Sequence, residues 1–200
     1  ATVTRRPWMV PSSWEAGWPV FAPPDAADSV WEFDGQVRPA FAVEPGPGQA
    51  SVWDFPRPPA LVLDERRVIV MSGSVQIAES KRCFRLLETA SPPTFYIPPE
   101  DVAVDLLTPA AGASFCEWKG EARYWALASA SPGADAVGWS YARPRPAFTE
   151  LADYYSFYPG KMECLVDGER VRPQPGGFYG GWVTDDVVGP FKGTPGTGHW

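Results

Sequence analysis

One lysine, one cysteine and two acids stand out in this sequence. Each sits among apolar or aromatic neighbours, where a charge is costly to bury without a partner. Glu88 closes the run CFRLLE after Leu86 and Leu87. In an apolar hollow its carboxyl would be raised and would serve as a general acid or base; as a structural group it would pair with Lys119 or with backbone N–H groups. Cys116 and Lys119 lie three apart in ASFCEWKGEA, at 113–122. Strict alternation would send them to opposite faces, and a bulge at Lys119–Gly120 would bring both to one site. An ammonium beside a thiol favours the thiolate, but with no histidine at hand a hydrolytic cysteine dyad is incomplete, and the alternative is an inert core thiol. Asp101 follows Pro98, Pro99 and Glu100 in a rigid turn, where it either caps loop N–H groups or joins the catalytic set. Lys119 has the fewest structural explanations: among rings it requires Glu88, Asp101 or an anionic ligand.

The candidate ligand-binding residues are aromatic: Tyr96, Tyr124, Trp139 and Tyr141. Alternation sets Trp139 and Tyr141 on one face and Tyr124 opposite Trp125. One face builds a core and the other is free to line a pocket.

Composition bounds the chemistry further. The chain has 200 residues, 44% apolar and 20% charged, enough for one packed domain with extensions. Its 24 prolines argue against a largely helical chain, and its 10 tryptophans argue for an aromatic interior. A formal net charge of -7 disfavours nucleic acid and anionic membrane as partners. The cysteines are Cys83, Cys116 and Cys164, an odd number without a CxxC, which fits reduced thiols in a cytoplasmic setting. The single histidine, His199, is next to last, so no zinc-ligand set is present, and neither a metal nor an organic cofactor is expected. No apolar run of membrane-spanning length occurs, and Arg5–Arg6 is not followed by the apolar stretch of a secretory signal.

The elements that must position these residues read as short strands. Residues 1–60 form a Trp/Pro-rich extended arm, with 44–50 (EPGPGQA) a linker by composition. SVWEFDG (29–35) is echoed by SVWDFPR (51–57), and the pairs Trp31–Phe33 and Trp53–Phe55 would anchor that arm. Residues 61–173 alternate: 65–73 and 74–80 flank a Ser72–Gly73 turn, 83–89 is a strand, and a break falls at Ser91–Pro92–Pro93 before 94–97. Strands are expected at 102–108, across 113–128 with an interruption at Gly120, and at 137–142, with 150–158 the one helix candidate. KMECLVDGERVRP (161–173) reads as a hairpin about Asp167–Gly168. Residues 174–200 form a Gly/aromatic tail packed on the domain. The expected fold is mainly β, a small folded sheet or open barrel.

Several ordered segments resemble a known family: AES (78–80), LLET (86–89), YIPPEDV (96–102), DLL (105–107), CEWKGEARYW (116–125), WSYARP (139–144) and ADYYSFYP (152–159). Together they resemble the domain-of-unknown-function family 427, over about Val68 to Val171, with WDFPRPP (53–59) and the tail as further flanks. The resemblance implies an Mss4-like folded β-sheet. The family is sometimes labelled nucleotidyltransferase-like, but here Gly73–Ser74 is followed by VQIAES without paired aspartates, and GGFYGG lacks the Lys-Ser/Thr of a phosphate loop.

Two functions of different class follow. One is a small-molecule site or cofactor-independent acid–base enzyme, with Glu88, Lys119, Cys116 and Asp101 as its chemistry. The other is a non-catalytic interaction module that forms homo-oligomers through the N-terminal arm. Convergence of Glu88 and Lys119 on a concavity favours the first; their pairing on a flat face favours the second.

Overall fold

Alternating β-prone runs, punctuated by glycines at positive φ, turn the middle of this chain into antiparallel hairpins. The computed structural model describes residues 32–200. Trp31, and with it most of the expected arm through residue 31, lies outside the described residues, as does the proposed role of that part in oligomer formation. In chain order the strands are β1 (Ala50–Ser51), β2 (Ala60–Asp64), β3 (Val68–Ser72), β4 (Val75–Ser80), β5 (Cys83–Glu88), β6 (Ser91–Tyr96), β7 (Leu107–Cys116) and β8 (Gly120–Leu127). They continue as β9 (Gly138–Ser140), β10 (Tyr155–Phe157), β11 (Glu163–Val166), β12 (Glu169–Arg170), β13 (Arg172–Pro173), β14 (Trp182–Val183) and β15 (Val187–Val188). The only helical segments among the described residues are short 3-10 turns. None is long and apolar enough to cross a membrane. The fold is mainly β.

Two sheets position the site. One has the order β2-β5-β6 and the other β10-β9-β8-β7. A bridge joins them where Ile97, just past β6, exchanges backbone hydrogen bonds with Tyr155 of β10 at 2.7 and 2.9 Å. The result is an arc of seven strands, and period-two alternation sorts its side chains. Phe95, Ile97, Phe157 and Trp125 face one core, against the β12-β11-β3-β4 sheet with Val68, Val70 and Cys164. Leu86, Tyr96, Ala122 and Trp139 face the other way, into a second cluster with Tyr141 and Phe148. Among the described residues no sheet closes into a barrel.

Four local expectations are corrected. Residues 150–158 are not a helix: a 3-10 turn covers Pro146–Leu151, Asp153 takes a left-handed φ of 61°, and the aromatic run then pairs as β10. Cross-strand partners outweigh local helical preference there. The break expected at Gly120 within 113–128 is not a bulge but a chain reversal: the segment forms the hairpin β7–β8, which turns through Glu117–Lys119 with Gly120 at φ 99°. In 102–108 the strand begins only at Leu107, after a 3-10 turn at Val104–Leu106. Pro92 and Pro93 do not break the chain but lie in β6, at the edge of its sheet, where the register shifts between Leu86 and Glu88. An edge spares proline the hydrogen bond it cannot donate.

The tail is stitched to the arm. Ala50 N–H donates to Asp186 O at 2.8 Å and Gln49 Nε2 to Asp185 O at 2.7 Å, so the stretch read as a linker is held in place. Trp53 is fully buried and meets Phe33, Phe41 and Trp200 edge-on, each at 5.1 Å between centroids. Beneath them runs a four-charge network. Arg85, 2% exposed, lies 3.2 Å from Asp186 and 3.5 Å from Asp64. Arg66 bonds Asp64 at 2.7 Å and Asp186 at 3.2 Å, and both guanidiniums lie over Phe95. Two cations and two anions balance, which makes burial tolerable.

Candidate functional site

The cavity lies on the inner face of the arc and has a volume of about 680 Å³. Strands β5 and β6 of one sheet and β7 and β8 of the other contribute to its wall, and the tail covers part of it. Alternation explains the β contribution: Glu88, Thr94, Tyr96, Cys116 and Tyr124 all sit at positions of one parity on their strands and point inward. Trp139 and Tyr141 arrive from β9 and its continuation.

Of the eight residues singled out by type and setting, seven line this cavity: Glu88, Cys116, Lys119, Tyr96, Tyr124, Trp139 and Tyr141. Asp101 does not. It occupies the 3-10 turn Pro99–Asp101, accepts from Ser80 Oγ at 2.7 Å and pairs with Arg82 at 2.8 Å. Burial there would raise its pKa, and Arg82 and Ser80 more than offset it, so the carboxyl is held below its ordinary value. In this position Asp101 ties the turn to β4.

Lys119 closes the hairpin turn between β7 and β8. It is 7% exposed, and its ammonium lies 5.8 Å from the Tyr141 ring centroid, within cation–π range. Among the described residues no carboxylate comes within ion-pair distance of it. Burial is the largest influence on its pKa and opposes the charge; Tyr141, Cys116 and Glu88 together outweigh burial and hold the pKa above the ordinary lysine value. The group therefore enters the cavity as a cation. The turn is braced from outside, since Arg145 N–H donates to Lys119 O at 3.0 Å and Arg145 Nη1 to Glu117 O at 2.9 Å.

Glu88 is half-buried, and its nearest cation is Arg57, at 3.9 Å. Arg57 is itself held by the carbonyls of Thr89 and Phe33. Glu88 also acts electrostatically on Lys119 and Lys192. Tyr96 and Tyr141 are buried, and burial pushes both phenols well above their ordinary value, so they remain neutral hydrogen-bonding groups at any physiological pH. Burial pushes Tyr158 up to about 12. Tyr124 donates to Ser114 Oγ at 2.7 Å. Trp139 packs against Tyr158 at 4.6 Å and edge-on to Tyr96 at 6.4 Å.

Sequence reasoning missed Tyr158, Lys161, Gln174, Tyr179 and Lys192, which also line the cavity. Tyr158 was hidden by the helical reading of 150–158. Lys161 opens the hairpin segment 161–173, and Gln174, Tyr179 and Lys192 belong to the tail, which carries no periodicity. The glycines of GGFYGG were the available signal. A Cβ on Gly180 would lie 2.1 Å from the Trp139 ring, and one on Gly181 would lie 2.3 Å from Gln174 Oε1, so only glycine lets the tail lie this close. Gln174 fixes the same segment, accepting from Gly181 N–H at 3.0 Å and donating to Lys192 O at 2.7 Å. Lys192 in turn donates to Trp200 O at 2.7 Å, and burial foremost depresses its pKa.

The three thiols differ in kind. Burial pushes Cys83 up to about 12 and Cys164 likewise upward, and both sit in the core. Cys116 is half-buried and lines the cavity. A disulfide reagent such as Ellman's is expected to modify one thiol of the native protein rapidly, and Cys116→Ser should abolish that phase. Fast labelling that persists in the Cys116→Ser protein would contradict this placement. Among the described residues no three His, Cys, Asp or Glu side chains are grouped as metal ligands would be.

A sequence profile for a family described as a domain of unknown function (DUF427) matches residues 60–168 of the chain. No curated protein matches it.

Proposed function

Because the chain belongs to the DUF427 family, whose activity is not established, we propose from its own residues that the cavity binds a small organic anion with an aromatic or planar body. The observation that carries this reading is Lys119, a buried cation facing a cavity with no carboxylate at pairing distance among the described residues. Burying an ammonium among rings opposes folding unless an anion completes it. The charge balance of the wall agrees. Lys119, Lys161 and Lys192 face Glu88 and Glu117, in a chain whose overall charge is -7. Glu88 is partly neutralised by Arg57 and Lys161 by Asp135, which leaves Lys119 as the buried cation of the wall. A volume of about 680 Å³ falls within the roughly 300–1,000 Å³ of small-molecule sites, and Tyr96, Trp139, Tyr141 and Tyr158 offer flat apolar faces.

The same residues supply both halves of a cofactor-independent proton transfer. Lys119, held as the cation, stabilises negative charge developing on a bound oxygen. Glu88 accepts a proton from the bound molecule, and Cys116 stands beside the ammonium as the nucleophilic alternative. Glu88 and Lys119 line a concavity rather than pairing on a flat face, which favours a pocket over an interaction module. A fluorescence titration with 1-anilinonaphthalene-8-sulfonate, an aromatic anion that brightens in apolar sites, tests binding. One saturable site, competed by benzoate, is expected. Absence of saturable binding to the native protein would sink the reading.

A further inference from the structure

On the outer side of the same hairpin lies a second, smaller hollow of about 240 Å³, lined by Phe115, Gly120, Glu121, Arg123, Arg143 and Arg145. Every other arginine among the described residues has a carboxylate within ion-pair distance. Arg123, Arg143 and Arg145 have none among the described residues, and all three are exposed and converge on this one hollow. Glu121 shares the rim and pairs with none of them at that distance. Arg145 Nη1 bonds the Glu117 carbonyl at 2.9 Å, which supplies no counter-charge, so in a chain of net charge -7 the three guanidiniums stand together without ion pairs among the described residues.

The backbone that presents them is fixed in advance. Arg143 and Arg145 belong to Arg143-Pro144-Arg145-Pro146, in which each arginine precedes a proline and is thereby restricted to extended conformations. Arg145 has φ -62° and ψ 156°. Both arginines line the hollow, and the prolines that follow them limit how far the backbone carrying them can rearrange. The strip crosses directly over Gly120: a Cβ there would meet Arg143 O and Arg145 Cγ at 3.6 Å. Arg123 comes up beside them from β8. A site whose backbone is rigid loses little entropy when it binds.

We infer that this hollow binds a phosphoryl group, free or as the monoester of a small molecule. Guanidinium forks match the planar, bidentate geometry of phosphate oxygens better than lysines do, and three of them match a dianion. The volume lies below the range of whole drug-sized ligands and suits one phosphate with little else enclosed. Phe115, 71% exposed at the rim, provides a face on which a ring attached to that phosphate can lie.

Isothermal titration of the full chain with inorganic phosphate, pyrophosphate and phenyl phosphate at low ionic strength tests the assignment. A single saturable site is expected for at least one of these anions, weakened by about tenfold or more in Arg143→Gln and in Arg123→Gln. Both variants should keep the native circular dichroism spectrum and bind anilinonaphthalenesulfonate as before, which separates this site from the main cavity. Phenyl phosphate binding more tightly than inorganic phosphate, an advantage lost in Phe115→Ala, identifies the ligand as an ester; equal binding identifies it as the free anion. No saturable heat at millimolar anion, binding indifferent to both arginine variants, binding abolished by Lys119→Met instead, or capture by anionic vesicles alone would each overturn the inference.

Discussion

Lys119→Met is expected to leave the melting temperature unchanged or raise it, while weakening binding of anilinonaphthalenesulfonate by about ten- to a hundredfold. The two halves of this result come from the same physics. Methionine nearly matches lysine in length and replaces a desolvated ammonium with an apolar end. Where a buried charge has no close counter-ion, such a replacement is neutral or stabilising. An anionic ligand, by contrast, loses a charge-assisted contact made away from water. A fall of several degrees in the melting temperature with binding unaltered would identify Lys119 as a structural cation and remove the basis for an anion site. Lys119→Arg keeps the charge but demands more room beside Tyr141, so affinity should be only partly retained.

Asp186→Ala is expected to destabilise the fold by about 3–5 kcal/mol, the usual cost of removing one partner from a buried ion pair. For a chain of this size that corresponds to a fall of roughly 10 °C in melting temperature. The reason lies in Arg85, which is buried, fixed by β5, and dependent on Asp186 and Asp64 for its counter-charge. Burial, the largest influence, already lowers the Arg85 pKa to about 10. Losing one of two carboxylates leaves excess positive charge where water cannot reach. The double variant Arg85→Met, Asp186→Leu removes one charge of each sign, retains the Arg66–Asp64 pair, and should recover a large part of the loss. Thermal unfolding of the three proteins decides the matter; a single variant as stable as the parent would mean that the network does not hold the tail.

The same network sets a pH dependence. Burial, the largest influence on Asp186, would raise its pKa, but Arg85, Arg66 and the Thr184 hydroxyl together outweigh it and hold the carboxyl below its ordinary value of 3.8. A carboxyl depressed in the folded state contributes stability that is complete above the unfolded pKa and is lost as pH falls toward the folded one. Parent protein should therefore lose stability below about pH 4, and Asp186→Ala should show a shallower loss there. Since Asp186 anchors the tail that carries Tyr179, Gly180 and Lys192 over the cavity, acid should weaken ligand binding before global unfolding.

Much of the local structure is legible in the sequence. Gly73, and Asp167–Gly168 with φ of 48° and 85°, mark hairpin turns, and the alternation of Leu86–Glu88, Phe95–Tyr96 and Tyr124–Trp125 assigns each side chain to a face. Those signals are local, because strand geometry sends neighbours to opposite sides whatever the rest of the chain does. The candidate cavity residues were legible for the same reason, as polar groups set in strands where burial requires compensation. What compensates them was not. Alternation identifies Arg85 as facing away from Leu86 without revealing that its counter-ion is Asp186, 101 residues later. Nor does it reveal that Asp101 turns to Arg82, or that GGFYGG roofs the cavity. The helical reading of 150–158 failed because the partner of Tyr155 is Ile97, outside any local window. The sequence by itself determined most of the hairpin strands and which of their side chains share a face; only the tertiary structure decided which faces meet, and that 155–157 is a strand at all, since pairing, roofing and charge neutralisation depend on contacts between residues far apart in the chain.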